Sequence, residues 1–127
     1  MKLPKSFIRR HQPTDSAACH AIRRDACRIL RGFAGDMALS PRDFTIREHR
    51  QRRRDVDVFA LQTDSLLVEI QHPAGAEGGV SMSYRTCRGR SDLTGGRDNS
   101  ISVASLATDQ GYADLVTTLR VVAGRRG

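Results

Sequence analysis

Tryptophan is absent, and only two tyrosines and four phenylalanines occur in 127 residues. So few rings argue against a stacking platform for single-stranded nucleic acid, which needs successive aromatic faces. They leave Leu, Ile, Val and Ala to build the core. Cysteine is scarce as well. Cys19, Cys27 and Cys87 are odd in number and follow no framework or zinc-ligand spacing, and the four histidines are scattered. A disulfide scaffold and a zinc site are therefore not expected, and a reduced, cytoplasmic setting is the simple reading. No apolar run approaches the roughly 20 residues of a membrane span. Leu3, Phe7 and Ile8 stand isolated among Lys2, Lys5, Arg9 and Arg10, so no signal-peptide core is present and no membrane partner is expected. There is no Gly-Lys-Ser/Thr phosphate loop and no nucleophile elbow, so neither P-loop nor acyl-transfer chemistry has support.

Lysine is also rare: Lys2 and Lys5 are the only two, and the other nineteen of the 21 basic residues are arginine. Fourteen acids leave a net charge of +7 and a pI near 10.3. A codon composition that favours arginine accounts for the Arg:Lys ratio but not for the excess of base over acid. The excess points to polyanions, because the guanidinium fork pairs bidentately with phosphate.

The length is that of one domain. Residues 1–13 read as a basic flexible arm, and 14–127 as a single α+β domain. Thr14 is the expected N-cap of a first helix, and Ala18, Ile22, Ala26, Ile29 and Phe33 draw one apolar stripe along it. His20, Arg24, Arg28 and Arg31 lie opposite the stripe, and Gly35 closes the helix. Phe44–Arg50 alternates apolar and polar, as a half-buried strand does. Val56–Gln62 and Leu66–His72 are β-rich runs joined by Thr63-Asp64-Ser65, read as a three-residue hairpin loop. Val80–Cys87 alternates again, with Val80, Met82 and Tyr84 toward the core. Gly89–Ser100 has no periodicity and reads as a surface loop. Ser102 caps a short turn, Asp109 caps a final helix, and Tyr112, Leu115, Val116, Leu119 and Val122 form its stripe. The expected architecture is a single antiparallel sheet of about four strands flanked by an N-terminal and a C-terminal helix, α-β-β-β-β-α.

Two constellations carry chemistry. With a three-residue loop, position i of the hairpin pairs with position 128 − i, so Asp57 faces Gln71 and Glu69 faces Phe59. Asp57, Glu69 and Gln71 then share one face. Two such carboxylates would hold Mg²⁺ with positions open for water and phosphate. With a two-residue loop, Asp57 and Glu69 fall on opposite faces and the site disappears. In this segment, Asp57 followed by Glu69-x-Gln71, the chain resembles the PD-(D/E)xK restriction-endonuclease-like superfamily. Residues 14–72 follow the helix–strand–strand–strand opening of that core. The resemblance implies Asp57 and Glu69 as Mg²⁺ ligands and Gln71 at the position of the catalytic lysine. It departs from the family there, since glutamine adds no positive charge, and again at 80–88, where a strand replaces a helix.

The second constellation is basic: the Arg52-Arg53-Arg54 turn, and Arg88, Arg90 and Arg97 around the glycine-rich loop. These six are the expected phosphate contacts. The leading expectation is a small nucleic-acid-associated accessory protein that grips duplex backbone and needs no cofactor. The alternatives are a Mg²⁺-dependent nuclease or its inactive descendant, and a protein–protein adaptor docking on an acidic partner. The chain matches no zinc-finger, RNP or GxxG recognition pattern.

Overall fold

The computed structural model describes residues 16–53, 55–73, 80–89 and 96–124, with side chains from Ala21 onward. The basic arm, Thr14, Arg54 and Arg90 lie outside the described residues. The first apolar stripe forms helix α1, Ser16–Asp36, on which Ile22, Ala26, Ile29, Leu30 and Phe33 are buried. Steps of three and four put these side chains on one side. Beyond Asp36 the chain turns at Ala38, whose φ is 59°, while the Leu39 amide donates to the Ala34 carbonyl at 2.9 Å. A left-handed residue here supplies donors to carbonyls that the helix leaves unpaired.

Five strands follow: β1 (Thr45–Gln51), β2 (Val56–Gln62), β3 (Leu66–Pro73), β4 (Ser81–Thr86) and β5 (Asn99–Ile101). Each pairs antiparallel with its neighbour in sequence, giving the order β1-β2-β3-β4-β5. The expected sheet of about four strands is corrected to five, because β5 lies at the end of the segment read as a loop. Its three residues offer one apolar side chain, Ile101, too few to display alternation. Gly96, at φ 73°, brings the chain back beside β4: a Cβ there would sit 2.4 Å from the Thr86 carbonyl oxygen. Only glycine permits that approach.

The β2–β3 hairpin corrects the expected register. Val56 pairs with Pro73, Asp57 with His72, Phe59 with Ile70 and Gln62 with Leu67, so paired numbers sum to 129 rather than 128. The Thr63 amide donates to the Leu66 carbonyl at 2.8 Å, which leaves Asp64 and Ser65 as a two-residue loop. The Thr63 hydroxyl oxygen accepts from the amides of Ser65 (3.2 Å) and Leu66 (3.0 Å). That side chain closes the turn in place of a backbone carbonyl, a local bond typical of threonine.

A 3₁₀ turn, Ala104–Ala107, leads into helix α2, Asp109–Gly124. Ser102 caps the turn as expected, its hydroxyl oxygen accepting from the Ser105 amide at 3.3 Å. The cap of α2 is Thr108 and not Asp109: the Thr108 hydroxyl oxygen accepts from the Gly111 amide at 3.0 Å. Asp109 instead occupies the first turn, where its charge favours the helix N-terminus. Tyr112 stacks on Phe33 of α1 with ring centroids 5.9 Å apart, and its hydroxyl donates to Asp36. The Ser65 hydroxyl donates to the Ala123 carbonyl at 2.6 Å, tying the hairpin loop to the end of α2. Both helices cover one face of the sheet, and Phe59, Leu61, Val68, Ile70, Met82 and Leu119 meet α1 in a single core. Each such side chain contributes about 1.5–3 kcal/mol on burial. The fold is α+β, one antiparallel sheet flanked by an N-terminal and a C-terminal helix.

Candidate nucleic-acid interface

Strand alternation gives the sheet two unlike faces. The paired rows Ile46–Leu61–Val68–Tyr84 and Glu48–Phe59–Ile70–Met82–Ile101 lie on the helix side. The rows Arg47–Ala60–Glu69–Ser83–Ser100, His49–Val58–Gln71–Ser81 and Thr45–Gln62–Leu67–Arg85 lie on the other. No described helix packs on this second face. Its centre is buried at Val58, Ala60, Gln62 and Leu67, and its rim is exposed and polar at Arg47, His49, Gln51, Ser81 and Ser100. Five of the six aromatic residues are described, and all five belong to the helix-side core or its margin.

The register decides the carboxylate pair. Asp57 lies on the helix side in the row Arg50–Asp57–His72, whereas Glu69 and Gln71 lie on the second face. The three residues expected to converge are therefore split, two on one side and one on the other. Asp57 pairs instead with Arg50, whose Nη1 is 3.4 Å from its Oδ1, and the same guanidinium also holds Asp55. Asp55 takes a φ of 53° in the β1–β2 turn, a conformation that Asp tolerates better than most residues. Among the described residues no group of three or more His, Cys, Asp or Glu side chains is arranged to hold a metal ion.

The expected phosphate contacts fall into two groups. Arg52 and Arg53 are exposed in the turn between β1 and β2, and Arg88 and Arg97 are exposed beyond the far end of β4 and before β5. From strand rise and spacing the groups stand roughly 25 Å apart, at diagonally opposite corners of the sheet. Arg47 and Arg85 lie between them on this second face. Neither was among the expected contacts, yet the alternation of Phe44–Arg50 carries the signal for Arg47: Phe44 and Ile46 face the core, so Arg47 and His49 face away. None of Arg47, Arg52, Arg53, Arg88 and Arg97 is ion-paired among the described residues. The arginines on the back of α1 differ. Arg24 and Arg28 flank the buried Asp25, with Arg28 Nη2 3.0 Å and Arg24 Nε 3.6 Å from its Oδ1.

Glu69 is the acid set within the strand rows of this second face. Burial pushes its carboxyl up from the usual carboxylate range and Asp98 adds to this, while Arg85 and His49 pull it down. Arg85 is half-buried, its Nε lies 3.8 Å from Asp98 Oδ1, and that nitrogen makes no hydrogen bond. The face therefore holds two cations on its rows against one partly buried acid, with further arginines at both ends. Cys87, the cysteine beside Arg85 and Arg88, is buried and its thiol donates to the Thr63 carbonyl at 3.5 Å, the environment of a structural thiol. The Cys27 thiol is pushed up by burial and then by Glu48, against the opposing pull of Arg31 and Arg23. No described helix is long and apolar enough to cross a membrane. No protein-family model matches the chain, and neither a curated protein nor a solved structure matches it.

Proposed function

We propose that the protein associates with nucleic acid through arginine–phosphate contacts on the sheet face over which no described helix packs and at the two ends of that face. The observation that carries this reading is the placement of Arg47 and Arg85 between the exposed pairs Arg52/Arg53 and Arg88/Arg97, on the side where no described helix packs. Arg47, Arg52, Arg53, Arg88 and Arg97 have no carboxylate partner among the described residues, so they bind phosphate without first breaking a described ion pair, whereas Arg85 shares its guanidinium with Asp98. A span of roughly 25 Å corresponds to about seven base pairs of duplex. The same face displays none of the described aromatic side chains, so it offers backbone contact rather than base stacking. That favours a duplex over a single strand and predicts little sequence preference.

Phosphodiester cleavage has less support, since Asp57 and Glu69 do not share a face. An acidic protein partner is the reading that remains if polyanions fail to bind. One experiment separates all three: purified protein titrated with duplex DNA, single-stranded DNA and RNA, with Mg²⁺ or EDTA, across a salt series. Salt-sensitive binding to duplex without cleavage upholds the proposal. Binding that prefers single strands contradicts the backbone mode, and Mg²⁺-dependent cleavage lost in Asp57→Ala establishes the nuclease instead. Failure to bind at low salt removes the nucleic-acid reading and turns attention to a protein partner.

A further inference from the structure

We infer that Glu69 couples polyanion docking on the second face to the uptake of one proton, so that duplex binding tightens as pH falls. The inference rests on the polyanion reading of that face and names its regulation.

The register puts Glu69 in the path between two of the arginines. Arg47 pairs with Ala60, Ala60 with Glu69 and Glu69 with Ser83, so these four stand in one row from β1 to β4. Arg85 lies two residues beyond Ser83 on the same side of β4. Arg47 and Arg85 are thus about three strand spacings, or roughly 14 Å, apart across the sheet. Along a duplex each strand carries a phosphate about every 3.4 Å of axis. A strand that touches both arginines therefore lays phosphate over the part of β3 that bears Glu69. Like charges brought together there oppose binding.

The charged neighbours of Glu69 on this side are few among the described residues. β1 supplies Arg47 and His49, and β2 supplies only the uncharged Val58, Ala60 and Gln62. On β3 itself Leu67 and Gln71 share the face. β4 supplies Arg85, and Asp98, just before β5, lies against it. Burial raises the Glu69 carboxyl above the usual range, and Arg85 is the foremost opposing influence. Arg85 serves both acids: its Nε stands 3.8 Å from Asp98 Oδ1 and makes no hydrogen bond.

A phosphate oxygen at Arg85 supplies the missing acceptor and withdraws the guanidinium from both acids. The two respond differently. The Asp98 side chain is 71% exposed and turns into solvent. Glu69 is half-buried, so its charged form is opposed by desolvation, by the phosphate and by the lost support of Arg85 together. A proton from solvent goes onto the Glu69 carboxylate, and the neutral carboxyl then donates to a phosphate oxygen. The carboxyl holds that proton more tightly in the complex than in the free protein. Affinity therefore rises as pH falls from the value in the complex to the value in the free protein, and is level below it.

Proton linkage tests the inference. Duplex DNA affinity is measured at constant salt from about pH 8 to about pH 5, with EDTA present so that no divalent cation bridges carboxylate and phosphate. Wild type should tighten by about tenfold over this range, one unit of carboxyl shift being tenfold in affinity. Glu69→Gln should bind at least about threefold tighter than wild type at the alkaline end and lose most of the pH dependence. His49→Gln, which removes the other titratable group on these rows, should keep the Glu69 contribution. Carbon NMR of the Glu69 carboxyl gives a reading on the unaltered protein: its titration midpoint should move to higher pH when duplex is added. A Glu69→Gln variant with the pH dependence of wild type, or a carboxyl midpoint unmoved by duplex, would overturn the inference. Salt-sensitive binding that is flat with pH also overturns it while leaving the polyanion reading standing, whereas absence of duplex binding removes both.

Discussion

Asp57 stands directly across the β2–β3 ladder from His72, while Glu69, three positions before His72, projects to the other side of the sheet. With the sheet between them the two carboxylates share no partner among the described residues. Asp57→Asn and Glu69→Gln should therefore have additive effects on the thermal midpoint, within about 0.5 kcal/mol in a double-mutant cycle. Mg²⁺ should leave the midpoint of wild type unchanged. Coupling beyond that range, together with a Mg²⁺-dependent rise in stability lost in either variant, would show that both carboxylates hold one ion.

The two arginine groups make separable contributions to binding. Replacing Arg52 and Arg53 with Ala should lower the slope of log affinity against log salt for duplex DNA by about 2, and replacing Arg88 and Arg97 should do the same. All four are exposed, so the thermal midpoint should barely move. An unchanged slope in either double variant removes that corner from the interface.

Glu69 gives the fold a pH dependence of definite sign. Burial raises its carboxyl above the usual range, so the folded chain holds the proton more tightly than the unfolded chain. The stabilisation from protonation is complete below the ordinary carboxylate range and is lost as pH rises through that range to the raised folded value. Above it the carboxylate carries a fixed cost. Glu69→Gln should accordingly melt at a higher temperature than wild type at pH 7, and the advantage should vanish near pH 3, about where both chains are neutral at this position. A constant difference at both pH values would assign the effect to packing rather than to charge.

The strand positions were legible because period-two alternation survives from Phe44 to Arg50 and from Val80 to Cys87. The hairpin register was not, because it rests on the Thr63 hydroxyl accepting two amides. Nothing in Thr-Asp-Ser announces whether two or three residues form the loop, and one residue of slip reverses every side chain. The α2 cap was ambiguous for a related reason: Thr108 and Asp109 are adjacent and both are capping residues. The arginines of the candidate interface could be read individually. Their grouping into two distant corners depended on strand order, which no local pattern encodes.

Thr63→Ala should therefore be disproportionately costly for a residue in a loop. It leaves the Ser65 and Leu66 amides without their side-chain acceptor in a buried turn, a loss of about 1–3 kcal/mol in denaturant unfolding. Thr63→Ser, which keeps the oxygen, should restore most of it. Equal destabilisation by both would identify the methyl group, and not the hydroxyl, as the contributor.

Tyr112→Phe isolates the bond between the helices. It deletes the hydroxyl that donates to Asp36 and keeps the ring on Phe33, so a loss of about 0.5–1.5 kcal/mol is expected. Tyr112→Ala should cost several-fold more, since the ring packing goes as well. Similar values for the two variants would mean that the stack contributes little.

The strand order β1-β2-β3-β4-β5 has a kinetic consequence. Every strand pairs with its neighbour in sequence, so the sheet can assemble one hairpin at a time, with small loop-closure entropy at the β1–β2 and β2–β3 junctions. The distant contacts are those that bring α2 back to α1 and to the central hairpin, Tyr112 to Asp36 and Ala123 to Ser65. Ordering that depends on the first of these closures comes late, and the meander forms ahead of the clasp that holds its two helices together.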